Sequence, residues 1–206
     1  MEIPLVIGGS VIMSHSEENI ALIDIREGRL VNYLLKPFSY YKMKWLEEIP
    51  YRIFQGLFGI ITVVAFTWFF HIKLTTITFQ ISHILLISLI IILAVSLAQL
   101  FKVCLGLISF WTTDVYGIFQ LSEMFLFIFG GYIAPLSFYP SVIASISYFL
   151  PFPYMVYFPI AAVSGFYTQQ QLLFIALGQT AWLLLLLFLY KRMWKNGIKM
   201  FTGVGQ

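Results

Sequence analysis

Apolar residues in this chain are gathered into four long runs and do not alternate regularly with polar residues. The runs cover residues 53–70, 81–101, 116–135 and 172–190. Each is about 20 residues long, which is the length an α-helix needs to cross the hydrocarbon core of a bilayer. The pattern therefore predicts an all-α polytopic membrane protein with four full spans.

Charged residues are scarce in the same part of the chain. Residues 74–190 carry three fixed charges, on Lys102, Asp114 and Glu123, and the whole chain is 60% hydrophobic and 10% charged. A soluble domain has about 25% charged residues. A charge held in hydrocarbon costs about 2.5–3.5 kcal/mol on insertion scales. This composition excludes an ordinary soluble domain and indicates that lipid surrounds most of the chain.

Lysine and arginine gather at the two ends of this apolar region. Residues 26–52 hold six of them, and the residues after position 190 hold four. Because cytoplasmic loops are enriched in basic residues, both clusters are expected inside the cell. Four spans between them return the chain to the same side, so the C-terminus is expected to be cytoplasmic. Topology thus accounts for ten of the twelve basic residues, and nothing indicates nucleic-acid binding.

The apolar segment between the third and fourth runs is too rich in proline to be one span. Proline removes a backbone donor and disfavours helix at the preceding residue. Irregular backbone at membrane depth is tolerated where protein buries it or where it lines a cavity. We therefore expect two or three short helices on the outer side, forming a re-entrant cap over residues 136–168. The prolines are Pro135, Pro140, Pro151, Pro153 and Pro159.

The sequence accordingly divides into four regions. Residues 1–25 are expected to be an interfacial segment or the remnant of a span, since the apolar stretch 1–13 is too short to cross alone. Residues 26–52 form a cytoplasmic region, residues 53–190 the transmembrane domain, and residues 191–206 a cytoplasmic tail. The one cysteine, Cys104, excludes a disulfide within the chain. No cofactor, metal site or catalytic residue is expected.

The cytoplasmic region contains an amphipathic pattern. Leu30, Leu34 and Leu35 have helical spacing, and the predicted helix, from about residue 26 to 36, ends before Pro37. Such a helix can lie on the membrane surface or dock into a groove on a soluble partner. The spacing leaves both possibilities open.

An ordered set of motifs resembles the type 2 ABC exporter permeases, in a drug-exporter-like bacterial branch. Residues 26–30 read Arg-Glu-Gly-Arg-Leu, and residues 34–39 read Leu-Leu-Lys-Pro-Phe-Ser, similar to that family's coupling-helix signature. Further matches are Phe110-Trp111, then Gly130 to Pro140, then Leu150-Pro151-Phe152, Tyr157-Phe158-Pro159 and Gly165. The family has six spans, and this chain corresponds to the last four, with residues 1–13 as the end of the second.

The resemblance implies a permease subunit that forms the substrate pathway and couples to a separate ABC ATPase. It also implies a second permease subunit, giving a homodimer or heterodimer in the cell membrane. No Gly-x-x-x-x-Gly-Lys-Ser/Thr phosphate loop occurs in the sequence, consistent with ATP hydrolysis elsewhere. The residues that would make the coupling contact are Arg26, Glu27, Gly28, Arg29, Leu30, Leu34, Leu35 and Pro37.

An enzyme is the alternative. Glu47, Glu48 and Arg52 match the Glu-Glu-x-x-x-Arg of CAAX-type intramembrane proteases, and Phe79 with His83 matches their Phe-x-x-x-His. Paired Glu and His side chains could hold a metal or activate water. The third element, His-x-x-x-Asn/Asp, is absent. Pro50 is also expected to interrupt the helix that would carry the two glutamates.

Two acidic residues are candidates for a role inside the membrane, because an ionisable residue there is by default a candidate for function. Asp114 lies near the end of a predicted span, where water can reach it. Glu123 lies about two turns into the third span, beside Gln120 and Ser122. Its candidate partners are a group across a permease dimer and Lys102, which could instead extend to the interface.

Overall fold

The computed structural model describes residues 15–69 and 80–201, and every regular element in those ranges is helical. Residues 1–13, His71, Lys73, Phe79 and the last five residues, on which several predictions fall, lie outside the described ranges. The prediction of an all-α protein is confirmed. The α-helices are α1 Ser16–Glu18, α2 Leu30–Leu34, α3 Tyr40–Phe69, α4 Ile81–Leu107, α5 Tyr116–Phe129, α6 Ser141–Tyr148, α7 Phe152–Met155, α8 Tyr157–Val163 and α9 Gln169–Gly197. A π-helix covers Asn19–Arg26, and 3₁₀ turns cover Ile108–Phe110 and Leu136–Phe138.

Among the described residues, two helices are long and apolar enough to cross a membrane, Ile81–Phe110 and α9. At 1.5 Å per residue, each exceeds the roughly 30 Å hydrocarbon core of a bilayer. They pack against each other, and residues from both form the main apolar core. Two of the four predicted spans are therefore found by length and composition in the described residues.

Of the other two predicted spans, one is helical wherever the structure describes it and the other is helical in part. Residues 53–69 lie in the second half of α3, whose first half carries the charged residues of the cytoplasmic region. The run at residues 116–135 is helical only to Phe129, so α5 has 14 residues. That is about 21 Å of helix, short of a full crossing. The helix ends just before Gly130 and Gly131, and the predicted cap begins at residue 136.

Helix α4 continues beyond the expected stop at Lys102, so that boundary was wrong. It runs to Leu107, and Lys102 lies buried inside it. A buried ammonium is tolerated when an opposite charge meets it, and the Glu17 carboxylate does so at 3.3 Å. Helix α9 likewise continues past residue 190 into the predicted tail.

Pro50 does not interrupt α3, contrary to the sequence expectation. A proline inside a helix leaves the carbonyl four residues earlier without its donor. Here that carbonyl belongs to Leu46, which is exposed, as is Pro50. The carbonyl that loses its hydrogen bond therefore lies on an exposed surface of the helix.

Short helices α6, α7 and α8 occupy residues 141–163, where the cap was predicted. Between α7 and α8 the backbone leaves helical geometry at Val156. Gln179 on α9 repairs this break, because its Nε2 donates to the carbonyl of Tyr154 at 2.9 Å and to that of Ile90 at 3.1 Å. One buried amide thus ties the cap to both long helices.

Candidate functional site

The segment that resembles a coupling helix is two short helices joined by a turn. The π-helix ends with the Glu27 amide donating to the Leu22 carbonyl, five residues back, at 3.0 Å. Gly28 follows with φ of 78°, a left-handed conformation that glycine adopts without a steric penalty. Helix α2 then begins at Leu30. The single helix expected over residues 26–36 is therefore wrong, because the turn at Gly28 interrupts it.

This turn changes which apolar residues face outward. Leu30 is fully buried in the core, so it is not part of an exposed docking face as the spacing had indicated. Leu34 and Leu35 are exposed, and Leu35 keeps 80% of its surface accessible. Val31 and Phe38 are exposed beside them. The exposed apolar segment is thus Val31, Leu34, Leu35 and Phe38, of which sequence spacing had found two.

The remaining predicted coupling residues surround this segment. Arg29 and Glu27 form an exposed ion pair with a distance of 3.2 Å from Nε to Oε2. Arg26 is partly buried, and its Nε and one terminal nitrogen have no hydrogen-bond partner among the described residues. Pro37 is exposed between α2 and α3. Charged residues and Pro37 therefore border the exposed leucines.

Beneath the segment lies a buried polar network that the sequence analysis missed. Asp24 on the π-helix accepts a hydrogen bond from the Tyr40 hydroxyl at 2.6 Å and contacts the Lys44 ammonium at 2.7 Å. Lys44 also donates to the Tyr33 hydroxyl at 2.9 Å and to Glu47 at 3.0 Å. Tyr33 in turn donates to Glu47 at 2.8 Å. The network joins the π-helix, α2 and the first turns of α3.

Both charges at the centre of this network are almost completely buried, with side-chain exposures of 3% for Asp24 and 8% for Lys44. Burial raises the pKa of Asp24, although hydrogen bonds from Lys44 and Tyr40 oppose the shift. Burial acts to lower the pKa of Lys44, but hydrogen bonds with Asp24 and Tyr33 outweigh it and raise that pKa. The amine therefore stays charged. The one sequence signal was an aspartate inside the apolar run Ile-Ala-Leu-Ile-Asp-Ile.

The predicted intramembrane acids are arranged differently from expectation. Lys102 pairs with Glu17 and not with Glu123, since its Nζ lies 3.3 Å from both Glu17 oxygens. Glu123 instead lies 3.9 Å from Nδ1 of His15. The Ser122 hydroxyl donates a hydrogen bond to the Phe119 carbonyl at 2.7 Å. Asp114 is exposed in the loop before α5, as its position indicated.

His15, Glu17 and Glu123 are close enough to share a metal ion, with ligand atoms within 4.8 Å of one another. Glu17 and Glu123 line a cavity of about 20 Å³ that Lys102 also lines. The Lys102 ammonium already provides the positive charge that Glu17 needs, and it would repel a second cation there. The group is therefore best described as a charged cluster around one buried ion pair.

The protease-like motif has other partners in the structure. Glu47 belongs to the Tyr33–Lys44 network, and Glu48 lies 3.9 Å from Arg52. Arg52 donates to the buried amide of Gln99 at 2.8 Å. Among the described residues, no group of three possible metal ligands includes Glu47, Glu48 or His83.

Comparison with known proteins gives a family for this arrangement. The model of the ABC-2 family transporter proteins matches residues 5–205. The chain belongs to this ABC-2 transporter family. The resemblance drawn from its motifs is confirmed, and the chain is a membrane-embedded permease component. No curated protein and no solved structure matches it.

Family membership also indicates which part of a transporter this kind of protein forms. An ABC-2 permease is the membrane part of a transporter and is not itself catalytic. It normally works with an ABC ATPase partner. The exposed segment and the buried network beneath it are thus the features of this chain that need a functional explanation.

Proposed function

We propose that this chain is the permease subunit of an ABC exporter, forming the substrate pathway and coupling to a separate ATPase subunit. The exposed apolar segment Val31, Leu34, Leu35 and Phe38 carries the coupling proposal. These four exposed apolar side chains lie in the basic region 26–52. Such a group suits a helix-in-groove contact with a soluble protein. Gly28 and Pro37 limit the segment on either side, while Arg26, Glu27 and Arg29 border it.

We further propose the wider assembly that the resemblance implies. Residues 26–52 form the cytoplasmic coupling region, residues 53–190 the transmembrane domain with its outer cap at 136–168, and residues 191–206 a cytoplasmic tail in the cell membrane. Two permease subunits, identical or different, complete the pathway. Glu123, with 39% of its side chain exposed, faces the second subunit or the pathway, and Asp114 lies at the membrane border. The apolar helices suit a hydrophobic or amphipathic substrate.

The experiment is co-purification of this chain with a co-expressed ABC ATPase partner. Leu35→Asp places a charge in the docking groove, where it cannot be paired. Truncating a central interface residue costs about 2 kcal/mol or more, so affinity should fall by roughly 30-fold or more. Arg29→Ala removes a rim charge that is worth about 1 kcal/mol or less and should weaken binding slightly, in a salt-dependent way.

Met200→Asp is the matched control. Like Leu35, Met200 is apolar; it is half exposed and lies after α9. It should leave ATPase yield unchanged. If α2 lies on the membrane surface, Leu35→Asp weakens membrane contact and leaves ATPase co-purification at the wild-type level. That result contradicts the coupling proposal.

A further inference from the structure

The buried network joins the exposed segment to the start of α3 through polar contacts of fixed direction. Asp24 contributes from the π-helix and Tyr33 from α2, while Tyr40 and Lys44 contribute from α3. Every link is 3.0 Å or shorter. A displacement of the turn at Gly28 therefore cannot occur without moving α3 or breaking these bonds.

The same residues reach α9 through aromatic contacts. The Tyr40 ring stacks on Trp194, with centroids 4.7 Å apart and an interplanar angle of 14°. Next to it, the Tyr190 hydroxyl accepts a hydrogen bond from the Tyr41 amide at 3.2 Å. Tyr40 thus belongs to the polar network by its hydroxyl and to the α9 contact by its ring. The exposed segment, α3 and the end of α9 are connected through one side chain.

We propose that Asp24 and Lys44 are positioning residues that transmit movement of the coupling segment to α3 and, through Tyr40, to α9. This inference rests on the proposed function, because the ATPase would supply the movement. Stability alone does not explain the pair, since buried ion pairs are often no better than apolar residues of similar volume. Their best-attested use is to fix one register between elements. Apolar surfaces can slide past each other, whereas a hydrogen-bonded ion pair holds one relative position.

The test measures movement of α3 in the purified complex with its ATPase. Nitroxide labels on Phe54→Cys in α3 and Leu89→Cys in α4 use exposed positions, whereas the native Cys104 is buried. Adding ATP with vanadate should change the label-to-label distance in the otherwise wild-type protein. Asp24→Asn combined with Lys44→Met removes both charges together, so neither is left buried alone. This double variant should keep ATPase binding and lose at least half of the distance change.

Two further variants separate positioning from folding. Lys42→Met removes an exposed lysine from the same helix and should leave the distance change intact. Tyr40→Phe keeps the ring on Trp194 and removes only the hydroxyl, and it should also reduce the change. If the double variant fails to bind the ATPase, Tyr40→Phe decides, and a wild-type change in it overturns the inference.

An equal distance change in the double variant and the wild type overturns the positioning role and leaves the proposed function standing. Failure of the wild-type chain to bind the ATPase, or to respond to ATP, overturns the proposed function and this inference with it.

Discussion

Replacing Lys102 by methionine leaves the Glu17 carboxylate buried without its counter-charge. The two side chains are 10% and 3% exposed, so water cannot compensate for the loss. Breaking a buried pair by removing one partner costs about 3–5 kcal/mol. For a chain of this size each kcal/mol shifts the melting midpoint by roughly 2–4 °C. Lys102→Met should therefore lower the midpoint by about 6–20 °C.

The assay is thermal unfolding of the purified protein in detergent, followed by tryptophan fluorescence. Glu17→Gln combined with Lys102→Met removes both charges and should recover most of the loss, because no unpaired charge remains. Lys191→Met, on an exposed lysine of α9, should melt like the wild type. If Lys102→Met also melts like the wild type, or if the double variant is no better than the single one, the buried ion pair does not hold α1 against α4.

Two other substitutions test separate contacts, and reporter fusions test the topology. Gly106→Ala would bring a methyl group to 2.7 Å from two atoms of Ile20, so the overpacked site should lose about 1–3 kcal/mol, seen as a lower melting midpoint. Gln179→Leu removes the donor for two backbone carbonyls, including that of Tyr154, and should cost about 1–3 kcal/mol; hydrogen exchange should rise in the cap more than in α9. Reporter fusions after Thr113 and at the C-terminus should both read as cytoplasmic, and an external C-terminus would contradict the topology.

Hydrophobic pattern and charge distribution were sufficient to predict the helical membrane class and the positions of α4 and α9. These features depend on local sequence, because a span is set by the apolar length that one helix presents to lipid. The predicted positions of the span ends were less accurate. At Lys102 the sequence indicated the end of a helix, but a residue 85 positions away supplied the neutralising charge. A pairing at that distance along the chain leaves no local signal.

The candidate site shows the same division. Leu34, the last residue of α2, and Leu35, which follows it, were found by spacing, and both are exposed. Leu30 was misplaced because Gly28 and the π-helix before it shift the register of the chain. Asp24 and Lys44 were missed as a pair because an aspartate inside an apolar run does not indicate its partner, and only the fold brings the two to 2.7 Å.

The most direct test of the central claim is site-specific photocrosslinking in membranes that contain the ABC ATPase. A benzophenone amino acid replaces Leu35 in the exposed segment, and in a second variant it replaces Phe149, which is 82% exposed in the cap. We expect a covalent adduct with the ATPase from position 35 and none from position 149. A position-35 probe that reacts only with lipid, in membranes where the ATPase is bound to the permease, would contradict the account.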